Sequence, residues 1–565
     1  MHNVNAGKTK IVFNEDPFSI YEIINEDTGE RFCFNGRQTV LVRMPGHISE
    51  PAILFKPQYV TSDPSSFNFS LSDESGLYRA DLHVSPSEYG VKFKLKTSAP
   101  EPLWLVEWKL SSFNFDEVII PALGGQILTK DMTTDTTLSY KYPFWWNAQF
   151  AIGTKVNGCL MLHTKDKEPD LKMLRVTKGE KDFALTLGFE ARAPLSLNSL
   201  EAEWFINTYK GSWEIPVSEH SAWLEKEFGL TRLNQNPHLP DWAKNINFIL
   251  EIWGMRKDSH LPHHTFDEMI ERLNQFSQIH RPEETLFYVP GFAEHGIDSN
   301  APDYNPGAKL GGQEKFKELV DKAHSMGYHV MIHTNVLAMT FHHPLYSRFR
   351  DFQVVDVFNR LQGWAMDIDG DWLSEEYFAY MNPGYREWGE HMIKVLGRLI
   401  SQYQLDAVFL DQTLLAFNIA KGPNFLTGMR DHIKRLEDAF PEVLFAGEGI
   451  HEQVLSVLPF AQIHGIDSLA DVHGMEGKKR WRKVHPVSSF LFSNYTRLTA
   501  HLLTKYPTHP LFKLQESSYK RLNVIPALCL YNNKQKIDIP EVHEMIKRAK
   551  SLKVTEKIKT VPGKA

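Results

Sequence analysis

After Pro237 and Pro240 the chain alternates apolar runs with amphipathic helical stretches at intervals of ~30–40 residues, the signature of repeated βα units. That pattern leaves little freedom. Parallel strands cannot be joined by a tight turn, so each run must cross back through a helix, and the repeat must close into a barrel or spread as an open sheet. Eight runs fit: 247–253, 285–290, 328–336, 405–410, 443–447, 461–466, 487–492 and 522–530. Helices are predicted over 313–326, stopped by Gly327, and over 385–403. A long insertion, 342–380, carries Trp364, Asp367, Asp369, Asp371 and Trp372. Eight strands over about 290 residues predict a (β/α)8 TIM barrel, placed at 241–532.

The first part reads differently. Short β-prone runs (10–13, 38–43, 52–55, 91–95, 103–110, 159–163, 183–189) are separated by Asn, Asp, Gly, Ser and Pro, with no helical period between them. This predicts an N-terminal antiparallel β-sandwich over 1–205. A connector with a helix at 218–228 follows over 206–240, and residues 533–565 supply a C-terminal helix, 539–552, and a tail. Inside the sandwich, Tyr142-Pro143-Phe144-Trp145-Trp146-Asn147 reads equally well as an interface lining or as core. A chain of 565 residues is in any case too long for one core.

Composition removes several function classes. Hydrophobic content of 42% and charged content of 23% are those of a soluble globular protein. A formal charge of −7 without a Lys/Arg block argues against a nucleic-acid partner. Three distant cysteines, Cys33, Cys159 and Cys529, form no disulfide framework and no zinc cluster. No signal-peptide core and no membrane-length apolar run are present, so a cytoplasmic chain without a membrane partner is expected. Dinucleotide, phosphate-loop and serine-elbow glycine motifs are missing, so no cofactor is expected.

The chemistry-bearing groups sit where barrel strands end. Leu405-Asp406-Ala407-Val408-Phe409-Leu410-Asp411 is a buried-strand run that terminates on a carboxylate, and the C-terminal end of a barrel strand is where active sites lie. Asp after a strand also caps helices, which is the structural alternative. The next run ends in Ala446-Gly447-Glu448-Gly449, where small neighbours let the backbone approach a ligand. Neighbouring strands lie ~4.8 Å apart, comparable with the ~5–5.5 Å between the carboxyls of a retaining glycosidase. His333 and Asn335, two apart on the third strand, share a face toward the mouth and are candidates for substrate contact. Trp364 and, more weakly, Trp253 are others. Asp467 and His473 follow the sixth strand, and Asp467 competes with Glu448 for the role of acid. His464, Asp467, Asp471 and His473 offer ligand types, but their spacing fits no standard metal motif and no metal is expected.

With Pro306-Gly307-Ala308-Lys309-Leu310-Gly311-Gly312, Gly327-Tyr328-His329-Val330-Met331-Ile332-His333-Thr334-Asn335, the run ending at Asp411, and Ala446-Gly447-Glu448, the second half resembles glycoside hydrolases related to the α-amylase superfamily. The likeness is greatest to the endo-α-N-acetylgalactosaminidase-like branch. It implies a retaining α-glycosidase, exo- or endo-acting on a carbohydrate, with Asp411 as nucleophile and Glu448 as general acid/base. The first part is similar to the galactose-mutarotase-like domain that precedes many such barrels. α-Galactosidase-like barrels, which would make Asp467 the acid, stay open, as does a non-hydrolytic carbohydrate-binding or isomerase barrel. The sugar and the oligomeric state stay open too.

Overall fold

The computed structural model describes residues 1–15, 18–63, 65–257, 261–364, 378–465, 481–502 and 504–552. Asp467 and His473 lie outside the described residues, as do Asp367, Asp369, Asp371 and Trp372.

Period-two alternation builds the first part. In the strand Gly90–Ser98, Val91, Phe93, Leu95 and Thr97 are buried while Lys94 and Lys96 face water. On that wet face Lys94 and Lys96 meet Glu201 of the neighbouring strand Ser199–Lys210 at 3.4 and 3.5 Å. Two ten-stranded sheets result, antiparallel throughout. Their buried faces meet through Phe93 and Trp204 of one sheet and Trp108 of the other, with Phe93–Trp108 and Trp108–Trp204 ring centroids 5.7 and 4.8 Å apart. A helix, α1 (Glu214–Glu227), then leads out of this region. Its buried side is Val217, His220, Ser221, Trp223 and Leu224, and Ala222 points to solvent.

The parallel sheet runs β1 (Phe248–Ile252), β2 (Thr285–Val289), β3 (His329–Asn335), β4 (Ala407–Asp411), β5 (Leu444–Gly447), β6 (Phe460–Gln462), β7 (Arg497–Thr499) and β8 (Ala527–Leu530). Sequential strands are neighbours and β8 returns beside β1. A parallel bridge between Thr499 and Ile525 links β7 to the segment before β8 and brings the ends of the sheet together. All residues of β1, β2, β4, β5 and β8 are buried, as strands covered on both faces must be.

One expected strand is a helix. Residues 487–492 form α2 (Val487–Phe492), entered from Pro486, and the seventh strand lies at Arg497–Thr499. A six-residue apolar run does not reveal its own period, and here Val487 and Leu491 lie one helical turn apart on a buried face. The eighth strand is also shorter than the 522–530 expected: the helix α3 (Phe512–Leu522) ends at Asn523 in the left-handed region, φ 56°. Between β6 and β7 the chain lends the strand Arg482–Val484 to the edge of a sandwich sheet, antiparallel to Gln126–Thr129. Arg482 Nε there donates to Gln126 Oε1 at 2.8 Å.

Candidate active site

Asp411 is the last residue of β4 and is 8% exposed; Glu448 directly follows β5 and is 9% exposed. The backbone aims both. The Glu448 N–H donates to the Leu410 carbonyl at 3.1 Å and its own carbonyl accepts from Thr413 Oγ1 at 3.0 Å. Gln412 takes a left-handed φ of 65°, a strained conformation for a side chain of its size, which turns its N–H onto Glu448 Oε2 at 2.9 Å. Asn335, at the end of β3, accepts from the Leu337 and Ala338 N–H groups through Oδ1, both at 3.0 Å. Its amide therefore faces Asp411, donating to Oδ2 at 3.0 Å.

Charge and hydrogen bonding couple the two carboxyls. Burial, the charge of Glu448 and that of Asp298 push Asp411 well above the ordinary carboxylate range. Burial alone would push Glu448 the same way, yet hydrogen bonds and charge from His464 and His501 hold it well below. The His464 and His501 Nε2 atoms stand 3.3 and 3.5 Å from Glu448 Oε1. These directions favour a proton on Asp411 over one on Glu448, the reverse of the distribution in which Asp411 attacks and Glu448 donates.

His333 points its Nε2 at Asp298 Oδ1, 3.1 Å away, so its Nδ1 is left to accept from the Tyr288 hydroxyl at 2.6 Å. Both nitrogens are thus committed to protein partners. Tyr304 accepts the Asn335 backbone N–H at 2.7 Å. Trp364 reaches the pair through a relay of contacts: its ring stacks on Phe378 at 6.2 Å, Phe378 packs on Tyr380, and the Tyr380 hydroxyl accepts from Gln412 Nε2 at 3.1 Å. Trp253 lies on the β1/β8 side, donating to Glu251 Oε1 at 2.5 Å and packing on Tyr531. Two sets of groups could hold a cation, with ligand atoms within 4.8 Å of one another: Glu448, His464 and His501, and Asp298, His333 and Asp411. Each set is also joined by the contacts just described.

Residues 199–459 match a family model described as a domain of unknown function, DUF6259. No curated protein sequence matches the chain. Among solved structures, ligand-free α-N-acetylgalactosaminidase NagBb from Bifidobacterium bifidum aligns with a TM-score of 0.74 at 11% identity, over 98% of this chain and 93% of that one. Its GalNAc complex aligns with a TM-score of 0.72 at 12% identity, over 97% and 92%. The GH36 α-galactosidase AgaA from Geobacillus stearothermophilus, in complex with raffinose, aligns with a TM-score of 0.50 at 9% identity, over 97% and 85%.

The chain shares the fold of these three structures. Within it, Asp411, Glu448, His333 and Asn335 come together at the ends of β3, β4 and β5, whereas Trp364 stands on the insertion and Trp253 on the far side. Sequence reasoning missed Tyr288, Asp298, Tyr380 and His501. His501 follows β7 by two residues, so placing that strand at 487–492 hid it. Asp298 sits in an irregular loop after β2 at φ 59°, where no periodicity marks it.

Proposed function

We propose that this protein is a retaining α-glycosidase acting on α-linked galactose-type sugars. One observation carries the reading: Asp411 and Glu448 converge from the C-terminal ends of adjacent parallel strands. The likeness to an α-N-acetylgalactosaminidase and an α-galactosidase supports the sugar class; we read the amino-terminal sheets as the galactose-mutarotase-like domain that the sequence resembles. One proton transfer along the Asp411–Glu448 contact makes the reactive pair, which a sugar wedged between them would trap. Asn335 Nδ2 steadies the resulting Asp411 carboxylate, which attacks the anomeric carbon. Glu448 gives its proton to the leaving oxygen and then takes one from the water that releases the sugar. His333 holds Asp298, the proposed acceptor for a ring hydroxyl, while Trp364 stacks on Phe378 and backs the site from the insertion.

A second reading has one observation in its favour. Two imidazoles keep Glu448 ionised, which suits an arrangement in which Asp467 is the acid. Hydrolysis of aryl α-galactoside and aryl α-N-acetylgalactosaminide tests the first reading. Asp411→Asn should cost about 10³-fold or more in kcat. Azide added to Glu448→Ala should yield the α-glycosyl azide; if Asp467→Ala yields it instead, the acid is Asp467. No turnover of either sugar by the intact protein would leave a binding or isomerase barrel.

A further inference from the structure

Four residues beyond Glu448 the same loop carries a second buried glutamate, Glu452, 1% exposed, which the chemistry above does not use. Its side chain leaves the barrel altogether. Tyr142 Oη donates to Glu452 Oε2 at 3.1 Å and Gln149 Nε2 to the same oxygen at 2.9 Å, both from the sandwich. The Gln149 N–H reaches Oε1 at 3.3 Å, and His220 Nε2 of α1 stands 2.5 Å from that oxygen. His220 Nδ1 then accepts from Lys165 Nζ, also of the sandwich, at 3.0 Å. Four donors on two oxygens is the arrangement of a carboxylate, not of a carboxylic acid.

The backbone repeats the grip. The Glu452 N–H donates to the Asn147 carbonyl at 3.1 Å, and Gln453 Nε2 to the Tyr142 hydroxyl at 3.1 Å. From the same segment Trp145 stacks on His464 at 5.0 Å, and His464 is one of the two imidazoles facing Glu448. A stretch of eight sandwich residues, 142–149, thus holds the loop that begins at Glu448 and also the imidazole opposite it.

We infer that Glu452 is a positioning residue for the reaction: locked to the sandwich and to His220, it fixes where the Glu448 carboxyl stands against Asp411. The inference rests on the glycosidase reading for its consequence in rate but not for its consequence in structure. Between Glu448 and Glu452 lies Gly449 in the left-handed region at φ 71°, a bend that turns the chain away from the barrel strand. Beyond that bend the loop is held by burial of Ile450 and Val454, by a His451 contact with the Thr413 backbone and by the Glu452 anchor, the one hold that ties it to the sandwich through a carboxyl; misplacing a catalytic group by ~1 Å can cost ~10²-fold.

The grip also depends on pH. Burial pushes Glu452 up to about 7, against hydrogen bonds from Gln149 and Tyr142 and the charge of Lys165. The other charged and titratable groups around it are His451 in its own loop, His220 and Glu219 on α1, and His163, Lys165 and Asp166 of the sandwich. Burial keeps His220 and His163 well below the usual imidazole range, so both are neutral, and it pushes Lys165 down to about 7. As pH rises through 7, Glu452 loses its proton inside a buried site that favours the neutral form, and the anchor loosens.

The test compares the full chain with Glu452→Gln, which keeps the shape. Amide hydrogen exchange of the peptide covering 448–454 should quicken in the variant, and in the intact protein on going from pH 6 to pH 8 after correction for intrinsic rates; exchange in β3 and β4 should hold. With an aryl α-galactoside or aryl α-N-acetylgalactosaminide, kcat should fall about tenfold or more with KM within about twofold, and the alkaline limb near pH 7 should disappear. Unchanged exchange in that peptide overturns the inference, as does an unchanged kcat and pH profile in a variant that is only less stable. If the intact protein turns over neither sugar, the glycosidase reading fails, and the exchange measurement still decides the role of Glu452.

Discussion

Two glutamates four residues apart on one loop, Glu448 and Glu452, are both dehydrated and both face imidazoles, yet their proton affinities move in opposite directions. At Glu448 two Nε2 atoms stand 3.3 and 3.5 Å from one oxygen, and their hydrogen bonds and charge outweigh burial. At Glu452 the touching imidazole is itself held neutral by burial and by Lys165, and the lysine lies one ring further off. Burial then wins. Equal dehydration thus leaves the outcome to whatever touches the carboxylate: two close imidazoles lower one glutamate, and burial raises the other.

Glu448→Gln should disturb this contrast most. It removes the group proposed to protonate the leaving oxygen, and the expected loss in kcat/KM is about 10²–10⁴-fold on poor leaving groups. On activated aryl glycosides the loss should be much smaller, because they need little proton assistance. It also removes the charge that raises Asp411, so Asp411 should ionise at lower pH. A loss independent of leaving group would show that Glu448 is not the acid and that its likeness to Glu452, as a structural carboxylate, is closer than proposed.

His501→Gln sharpens the comparison with a smaller effect. The imidazole lowers Glu448, so without it the proton affinity of Glu448 rises and the protonated acid persists to higher pH. The basic limb of kcat/KM should move upward, with a change below about tenfold at the optimum. A downward shift would mean that His501 opposes ionisation of Glu448.

These contrasts were only partly legible in the sequence. The βα period and strand-end placement disclosed Asp411 and Glu448, because both are fixed by chain-local patterns. The same period failed at 487–492, where a short apolar run formed a helix, and His501 was lost with it. His220 was invisible for a different reason: a polar residue on the buried side of α1 makes sense only once Glu452 and Lys165 are seen against it, and those partners lie 232 and 55 residues away. The cluster Tyr142–Asn147 looked equally like core or interface. In the structure Tyr142 binds Glu452 and Trp145 stacks on His464, so it is an interface.

The smallest effect tests the anchor itself. Tyr142→Phe deletes a hydroxyl that donates to Glu452 Oε2 and accepts from Gln453 Nε2, and leaves the ring in place. Because burial raises Glu452 in the folded protein, its contribution to stability is complete below its unfolded value and is lost as pH rises through about 7. The Tyr142 hydroxyl favours the ionised form, so removing it raises Glu452 further and enlarges the penalty on the alkaline side. At pH 5, where Glu452 is protonated with or without the hydroxyl, the variant should lose about 1 kcal/mol, as for a neutral hydrogen bond. At pH 9, where the bond is to a charge, it should lose about 2 kcal/mol. Urea unfolding at the two pH values measures the difference. Equal losses would mean that the hydroxyl serves Gln453 alone and that Glu452 is not held through it, which would confine the anchor to His220 and Gln149.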